Sequence, residues 1–503
     1  MKTTEELIQE LDRLERSLYV CNHLSSLVEL DAMTAAPMDS SEGRSVVMEH
    51  LGNEYYAAFA SAETGELLHE LDERKAELPA RAARQTEFLK REYDRMKAIP
   101  QDEYVKYEVL VSEAGNVWVK AKRENDFASF APYLEKIVDT QLRFINYWDP
   151  QHTRKPYDVL LEEYEYGLTT DALDKFFGDI RKEIVPLVHA ITEKGWQPDD
   201  AFLHQNYPLE QQRALSGLLM DVLTIDRGHC SIGETEHPFT LQFNRDDVRI
   251  TTHYHADDPM SSFYSVMHEG GHALYELNTG EDLRWTSLAQ GASSSIHESV
   301  SRFFENIIGR SEGFCTFILP KLQELFPEQL KGVTAEQFYQ AVNIAQPSLI
   351  RTESDELTYC LHVMVRYEIE KDLINRNIRV ADLPGVWNAK MKEYLGVDVP
   401  DDTHGVLQDS HWSGGSFGYF PTYALGNAYG AQMCERMRRD VDIEKCCAEG
   451  DLKPVVDWMT EHLFRYGCMM DPVPLFEQVC GEKFDTDAYC HYLKEKFGKI
   501  YGI

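Results

Sequence analysis

Apolar residues in the first half of the chain recur three and four positions apart. Leu7, Leu11, Leu14 and Leu18 form one such row, and the spacing predicts an amphipathic helix. The same period continues to about residue 225, where Gly and Pro are sparse. Pro37, Gly65, Pro79, Pro100, Pro132, Pro150 and Pro208 mark the expected breaks between helices. Arg84–Lys97 keeps the period but carries many charges, and reads as a solvated helix. The pattern changes near Gly228, and Gly228–Gly233 is loop-like. From Phe239 to Tyr254, β-branched and aromatic residues alternate with polar ones, which predicts two short strands joined by a turn at Asn244–Asp247. After Pro259 the helical period returns and holds to the end, interrupted by the Gly-rich loop Ser413–Gly418. No repeat of fixed period and no low-complexity tract is present. The expected fold is mainly α, with one small sheet just ahead of residue 260. Residues 1–503 read as a single domain: a mostly helical part over 1–227, and a part over 228–503 that carries the chemistry.

Length and composition narrow the function. A chain of 503 residues can bury a large core, and 43% apolar with 27% charged residues is ordinary for a globular protein. The formal net charge of −35 sets aside nucleic acid as a partner, because phosphate binding needs a basic footprint. An anionic membrane surface is disfavoured for the same reason. Met1–Glu10 lacks a basic segment followed by an apolar run, so no signal peptide is expected. No run of about 18 apolar residues predicts a membrane span. The 10 cysteines are scattered, with no C-x-x-C pair, which points to reduced thiols in a cytoplasmic setting.

Chemistry concentrates in His268-Glu269-Gly270-Gly271-His272. On a helix, residues four apart share a face, so both imidazoles can reach one ion. Glu269 projects beside them as a candidate general base, and zinc lowers the pKa of a coordinated water to about 7. Gly270 and Gly271 each cost a helix about 1 kcal/mol relative to Ala. Their presence implies that a substrate or a strand comes close to the backbone. Zinc hydrolases keep three protein ligands, and this chain has no third histidine at metzincin spacing. A carboxylate on a following helix is the alternative. Glu298 is the first choice, and spacing alone leaves Glu305 and Glu276 open.

At this point the sequence resembles the thermostable carboxypeptidase Taq family of metallocarboxypeptidases. The resemblance rests on an ordered set: His237-Pro238-Phe239, Asp247-Val248-Arg249-Ile250-Thr251, the zinc motif, His297-Glu298-Ser299, Ile350 to Asp355, and Gly405 to Trp412. It runs from about residue 230 to the C-terminus and is weaker in the N-terminal helices. It implies Glu298 as the third zinc ligand and a helical, two-lobed fold with a long groove, similar to angiotensin-converting enzyme and neurolysin. It also implies removal of single residues from the free C-termini of peptide substrates, a homodimer and a cytosolic setting. Cobalt or manganese could take the same ligands as zinc. Two departures are visible: Val300 stands where the family usually has Gln, and Leu30-Asp31 where it usually has Trp-Asp.

A carboxypeptidase must hold a terminal carboxylate, and the arginine fork suits that task. Two motif arginines qualify. Arg249 either does this or pairs with Asp247; Arg351 either does this or pairs with Asp355 at helical spacing. Neurolysin-like enzymes carry a similar His, glycines, then Tyr arrangement. By that resemblance Tyr423 is the oxyanion donor, His411 a second donor or positioning group, and Tyr419 the substitute for Tyr423. His237 either contacts substrate or fixes its strand. A zinc endopeptidase or dipeptidyl carboxypeptidase on the same fold, and an inactive metal-containing binding protein, are the competing expectations.

Overall fold

The computed structural model describes residues 2–37 and 39–503. The predicted helical period is real: helices dominate from Thr4–Thr34 to Asp487–Tyr501. Pro79, Pro100 and Pro208 each sit at the N-cap of a helix, where a missing N–H costs nothing. Two expected breaks are corrected. Pro132 lies inside the helix Phe127–Trp148, which begins instead at an Asp126 cap. Gly65 lies inside Ala62–Glu73, where a methyl group would stand 2.4 Å from the Tyr93 hydroxyl, so close packing explains it.

Three strands form one sheet in the order β1-β3-β2: β1 Cys230–Glu234, β2 Thr240–Asn244 and β3 Asp247–Thr252. β2 and β3 are the expected hairpin, antiparallel, with a register shift between Gln242 and Asn244. β1 corrects the loop-like reading of Gly228–Gly233. It pairs parallel with β3, Cys230 opposite Val248 and Ile232 opposite Ile250. A five-residue segment gains strand character only from that neighbour, so local pattern could not show it. β2 is left at the sheet edge.

Beside a small cluster of Leu283, Leu288 and Cys468 with Phe88 packed against it, two larger cores are distinct. The four helices Thr4–Thr34, Ser41–Phe59, Ala62–Glu73 and Ala80–Ala98 pack around Leu7, Leu11, Leu18, Phe59, Leu68, Leu71 and Leu89. The main core spans both sides of residue 227, joining Phe176 and Leu215 to Phe263, Tyr367 and Phe497. The helix Ala80–Ala98 is not simply solvated: Leu89 is buried, and Phe88 and Glu92 face a groove between the two bodies. That groove holds about 1090 Å³ and is walled by Tyr19, Tyr55, Tyr107, Trp148 and β2. Phe88, Glu92, Tyr164 and Gln242 also line an adjoining space of about 700 Å³ that reaches His268 and His272. No described helix is long and apolar enough to cross a membrane. All 10 cysteines are free thiols.

Candidate metal centre and active site

The motif helix spans Pro259–Leu277. Asp258 caps it, accepting from the Ser261 N–H at 3.1 Å, and Pro259 occupies its first turn. Phe263, Val266, Met267, Ala273 and Leu274 anchor it in the core. The partner helix, Ser294–Arg302, starts at a Ser293 cap and continues into a π-helical turn, Phe303–Ile308. Glycines let these helices touch. A methyl on Gly271 would stand 2.8 Å from Ser301 Cα and 2.9 Å from the Val300 carbonyl oxygen. A methyl on Gly270 would instead stand 2.5 Å from Leu223 Cδ1. The expected close approach is therefore that of a neighbouring helix and a leucine, not of substrate or strand. From the other side, the helix Phe420–Met437 presents Gly426 to Glu298 and Gly430 to the Ser299 carbonyl.

The result is a convergence of donors. His268 Nε2 and His272 Nε2 lie 3.7 and 3.6 Å from Glu298 Oε2, and the three donor atoms fall within 4.8 Å of one another. The other ring nitrogens are tied back. His268 Nδ1 meets Glu305 Oε2 at 2.9 Å. His272 Nδ1 meets His297 Nδ1 at 2.5 Å, and His297 Nε2 meets Glu276 Oε1 at 2.6 Å. Both Nε2 atoms thus remain for an ion, the arrangement that metal-ligating histidines use. Of the other two carboxylates that spacing left open, Glu305 stands directly behind His268, and Glu276 reaches His272 only through His297. Arg302 donates to Glu298 Oε1 at 2.7 Å and to Glu305 Oε2 at 3.1 Å. Two nitrogens and a carboxylate oxygen in a mostly buried site suit a divalent metal.

Burial and charge set the protonation states. Burial works against ionisation of Glu298, but Arg302 and then His268 outweigh it and hold the carboxyl well below its usual range. Burial also opposes charge on His268, yet Glu298 and Glu305 raise it overall. His272, buried and facing His297, is pushed down to about 3. Glu269 is only 7% exposed, and burial raises it. Its Oε2 accepts from the Thr240 hydroxyl at 2.6 Å.

The remaining candidates divide. Tyr423 and Tyr419 line the space beside His268, their rings 5.1 Å apart. His411 Nε2 lies 3.4 Å from the Tyr423 hydroxyl, and burial lowers this imidazole to about 4. Arg351 is 6% exposed, with its guanidinium 4.9 Å from the Tyr423 ring centroid. It donates to Asp409 Oδ1 from Nε and Nη2 at 3.2 and 2.9 Å, and to the Tyr359 hydroxyl at 3.0 Å. The expected alternative pairing with Asp355 does not form, because Asp355 caps the next helix through Leu357 and Thr358. Arg249 does pair with Asp247, at 2.9 and 2.8 Å, and does not line the space around the histidines. His237 is exposed in the bend between β1 and β2 and is likewise outside that lining. Sequence reasoning missed Thr240 and Asp409 as partners of Glu269 and Arg351. Both lie inside motifs it noted or next to them, but a hydroxyl or carboxylate reveals its partner only in three dimensions.

A helix-borne pair of histidines with a carboxylate from the next helix, lining the space that adjoins the groove, defines a metal-dependent peptidase centre. The comparisons with known proteins agree. The model of the carboxypeptidase Taq (M32) metallopeptidase family matches residues 10–497. Carboxypeptidase 1 of Bacillus subtilis is 39% identical over 95% of this chain and 96% of that protein. Thermostable carboxypeptidase 1 of Thermus thermophilus is 33% identical over 99% of this chain and 100% of its own. The crystal structure of the M32 carboxypeptidase from Deinococcus radiodurans superposes with a TM-score of 0.96, at 32% identity, over 99% of this chain and 100% of that one. The chain belongs to the carboxypeptidase Taq family, and it is a metallocarboxypeptidase.

Proposed function

We propose that the metal is zinc, held by His268, His272 and Glu298, and that the enzyme releases single residues from free peptide C-termini with broad tolerance of side chain. The observation that carries this is the convergence of two free Nε2 atoms on Glu298 while both Nδ1 atoms are engaged elsewhere. When bound, zinc supplies Lewis-acid polarisation and acidifies water at neutral pH. Cobalt or manganese suits the same donors.

Glu269 accepts the proton of the attacking water and passes it to the leaving amine. Tyr423, with His411 beside it, donates to the oxygen on which negative charge develops; Tyr419 adjoins both and completes the wall. Arg351 is the better carboxylate anchor of the two arginines: both pair with an aspartate, but the Arg351 guanidinium lies 4.9 Å from the ring centroid of Tyr423, which lines the space around the histidines, whereas Arg249 stands at the sheet. His237 is left with a role at the sheet. A cytoplasmic homodimer belongs to the same reading; family resemblance supports the dimer, and free thiols support the compartment. Sedimentation of the purified chain tests the first.

The test of function is mass spectrometry of an unblocked peptide over time, beside its amidated twin. Stepwise loss of one residue from the unblocked peptide alone is expected. Internal cuts, or release of dipeptides, would establish the endopeptidase or dipeptidyl carboxypeptidase alternative. Glu269→Gln should keep its metal and lose turnover; loss of metal with it would make Glu269 structural.

A further inference from the structure

We propose that Thr240 is the positioning residue of Glu269: its hydroxyl occupies one carboxylate oxygen so that the other is presented to the attacking water. This rests on Glu269 being the general base.

The argument starts from a glutamate with little else to hold it. The Glu269 side chain is nearly buried, and among the described residues its carboxylate takes its hydrogen bond from Thr240. A glutamate has three rotatable side-chain bonds, so a carboxylate without a fixed partner spreads over several orientations. Thr240 Oγ1 lies 2.6 Å from Glu269 Oε2 and 3.1 Å from the Glu269 carbonyl oxygen. A hydroxyl has one proton to give. The shorter contact is to the charged acceptor, so the proton goes to Oε2. Oε1 is left with its lone pairs free.

Thr240 is itself firmly placed. It is β-branched, with restricted χ1. It begins β2, opposite Ile250 of β3, and Gln242 of the same strand donates to the Ala289 carbonyl at 2.6 Å. The strand thus fixes the hydroxyl, and the hydroxyl fixes the base. Thr240 also lines the space around the histidines together with Phe239 and Gln242. A peptide lying along β2 would therefore contact the strand that orients Glu269.

A merely structural Thr240 would dock β2 on the motif helix, and two substitutions separate the roles. Thr240→Val keeps the shape and removes the donor; Thr240→Ser keeps the donor and removes the methyl. Each is measured as full-length, metal-loaded enzyme on an unblocked peptide. The metal-free protein supplies the thermal midpoint and, by chelator competition, the zinc dissociation constant. Thr240→Val should lower kcat roughly 10- to 100-fold, the worth of one hydrogen bond to a charged group, with KM within about twofold. Its zinc affinity and midpoint should stay near those of the parent. Thr240→Ser should recover kcat to within about threefold of the parent. In a Glu269→Gln background, Thr240→Val should cost nothing further. The proposal is overturned if Thr240→Val keeps its kcat, if its loss lies in KM or zinc affinity, or if Thr240→Ser is as slow as Thr240→Val. Full turnover by Glu269→Gln alone would instead overturn the general-base reading, a failure visible without any change at Thr240.

Discussion

Alanine at Gly271 and alanine at Gly270 are chemically the same change one residue apart, and the structure separates them. At Gly271 the new methyl would meet backbone: Ser301 Cα at 2.8 Å, the Val300 oxygen at 2.9 Å and Ser301 N at 3.1 Å. Relaxing to ordinary carbon contact, about 3.5 Å, moves the Ser294–Arg302 helix by about 0.7 Å. Glu298 lies on that helix one turn before Ser301, and metal sites tolerate displacements of about 0.2 Å. Overpacking costs about 1–3 kcal/mol, while replacing glycine within a helix returns about 1 kcal/mol, so global stability falls by only about 0–2 kcal/mol. Zinc affinity should fall much further, roughly 10- to 100-fold, as when a metal ligand loses its support. At Gly270 the methyl meets the far end of Leu223, Cδ1 at 2.5 Å, which can turn away. Gly270→Ala should therefore bind zinc within about threefold of the parent, the residual strain being about 1 kcal/mol at most. Chelator competition on the two purified variants measures the difference. Equal affinities, or a weaker Gly270→Ala, would refute the helix-contact account.

Further outcomes are expected. Asp409→Asn removes the counter-charge of two buried arginines, Arg351 at 2.9 Å and Arg366 at 2.5 Å. The cost is about 3–5 kcal/mol, or a fall of about 3–5 °C in the calorimetric midpoint of a chain this long. Although burial opposes it, Arg366 and Arg351 hold this carboxyl below its usual range. Its stabilisation is thus present above the unfolded pKa and lost as pH falls through the depressed folded one, so parent and variant should converge in strong acid. In the metal-free protein the Glu269 carboxyl should titrate above the ordinary glutamate value of about 4.3, because burial raises this group, and carboxyl-labelled NMR of the parent against Glu269→Gln reads that midpoint. His411, lowered to about 4 by burial, is neutral near pH 7, so His411→Gln should slow turnover at neutral pH without changing the shape of the kcat/KM profile above about pH 6; a changed shape there refutes the assignment. Arg351→Ala should cut kcat/KM by about 30-fold or more on an unblocked peptide and little on its amidated twin, whereas Arg249→Ala should treat both alike. Equal losses for Arg351→Ala would place the anchor elsewhere in the groove.

Helix periodicity and the two histidines were legible because their signals are local: apolar rows three and four apart, and an i, i+4 pair. The set of carboxylates was legible too, but its order was not. Glu298, Glu305 and Glu276 are equivalent by composition, and only the packing of two glycine-faced helices brings Glu298 to the free Nε2 atoms, sets Glu305 behind His268 and sets Glu276 behind His297. What escaped the sequence was non-local. β1 needs β3 to be a strand, Arg351 needs Asp409 to be neutralised, and Thr240 finds Glu269 across a strand–helix contact.

The four N-terminal helices keep a core of their own, and this separates two free energies that a single core would merge. Raising them off the groove breaks polar and aromatic seams, such as Glu15 to Ser287 at 2.9 Å and Tyr19 against Trp285 at 4.8 Å, and lifts Phe88 from Leu283 and Leu288, while the leucines inside the four-helix core stay covered. Local opening of this kind costs a fraction of global unfolding. Backbone amides facing the seam should then exchange with solvent long before those of the motif helix. The motif helix, anchored in the main core, should keep its protection while these seams open.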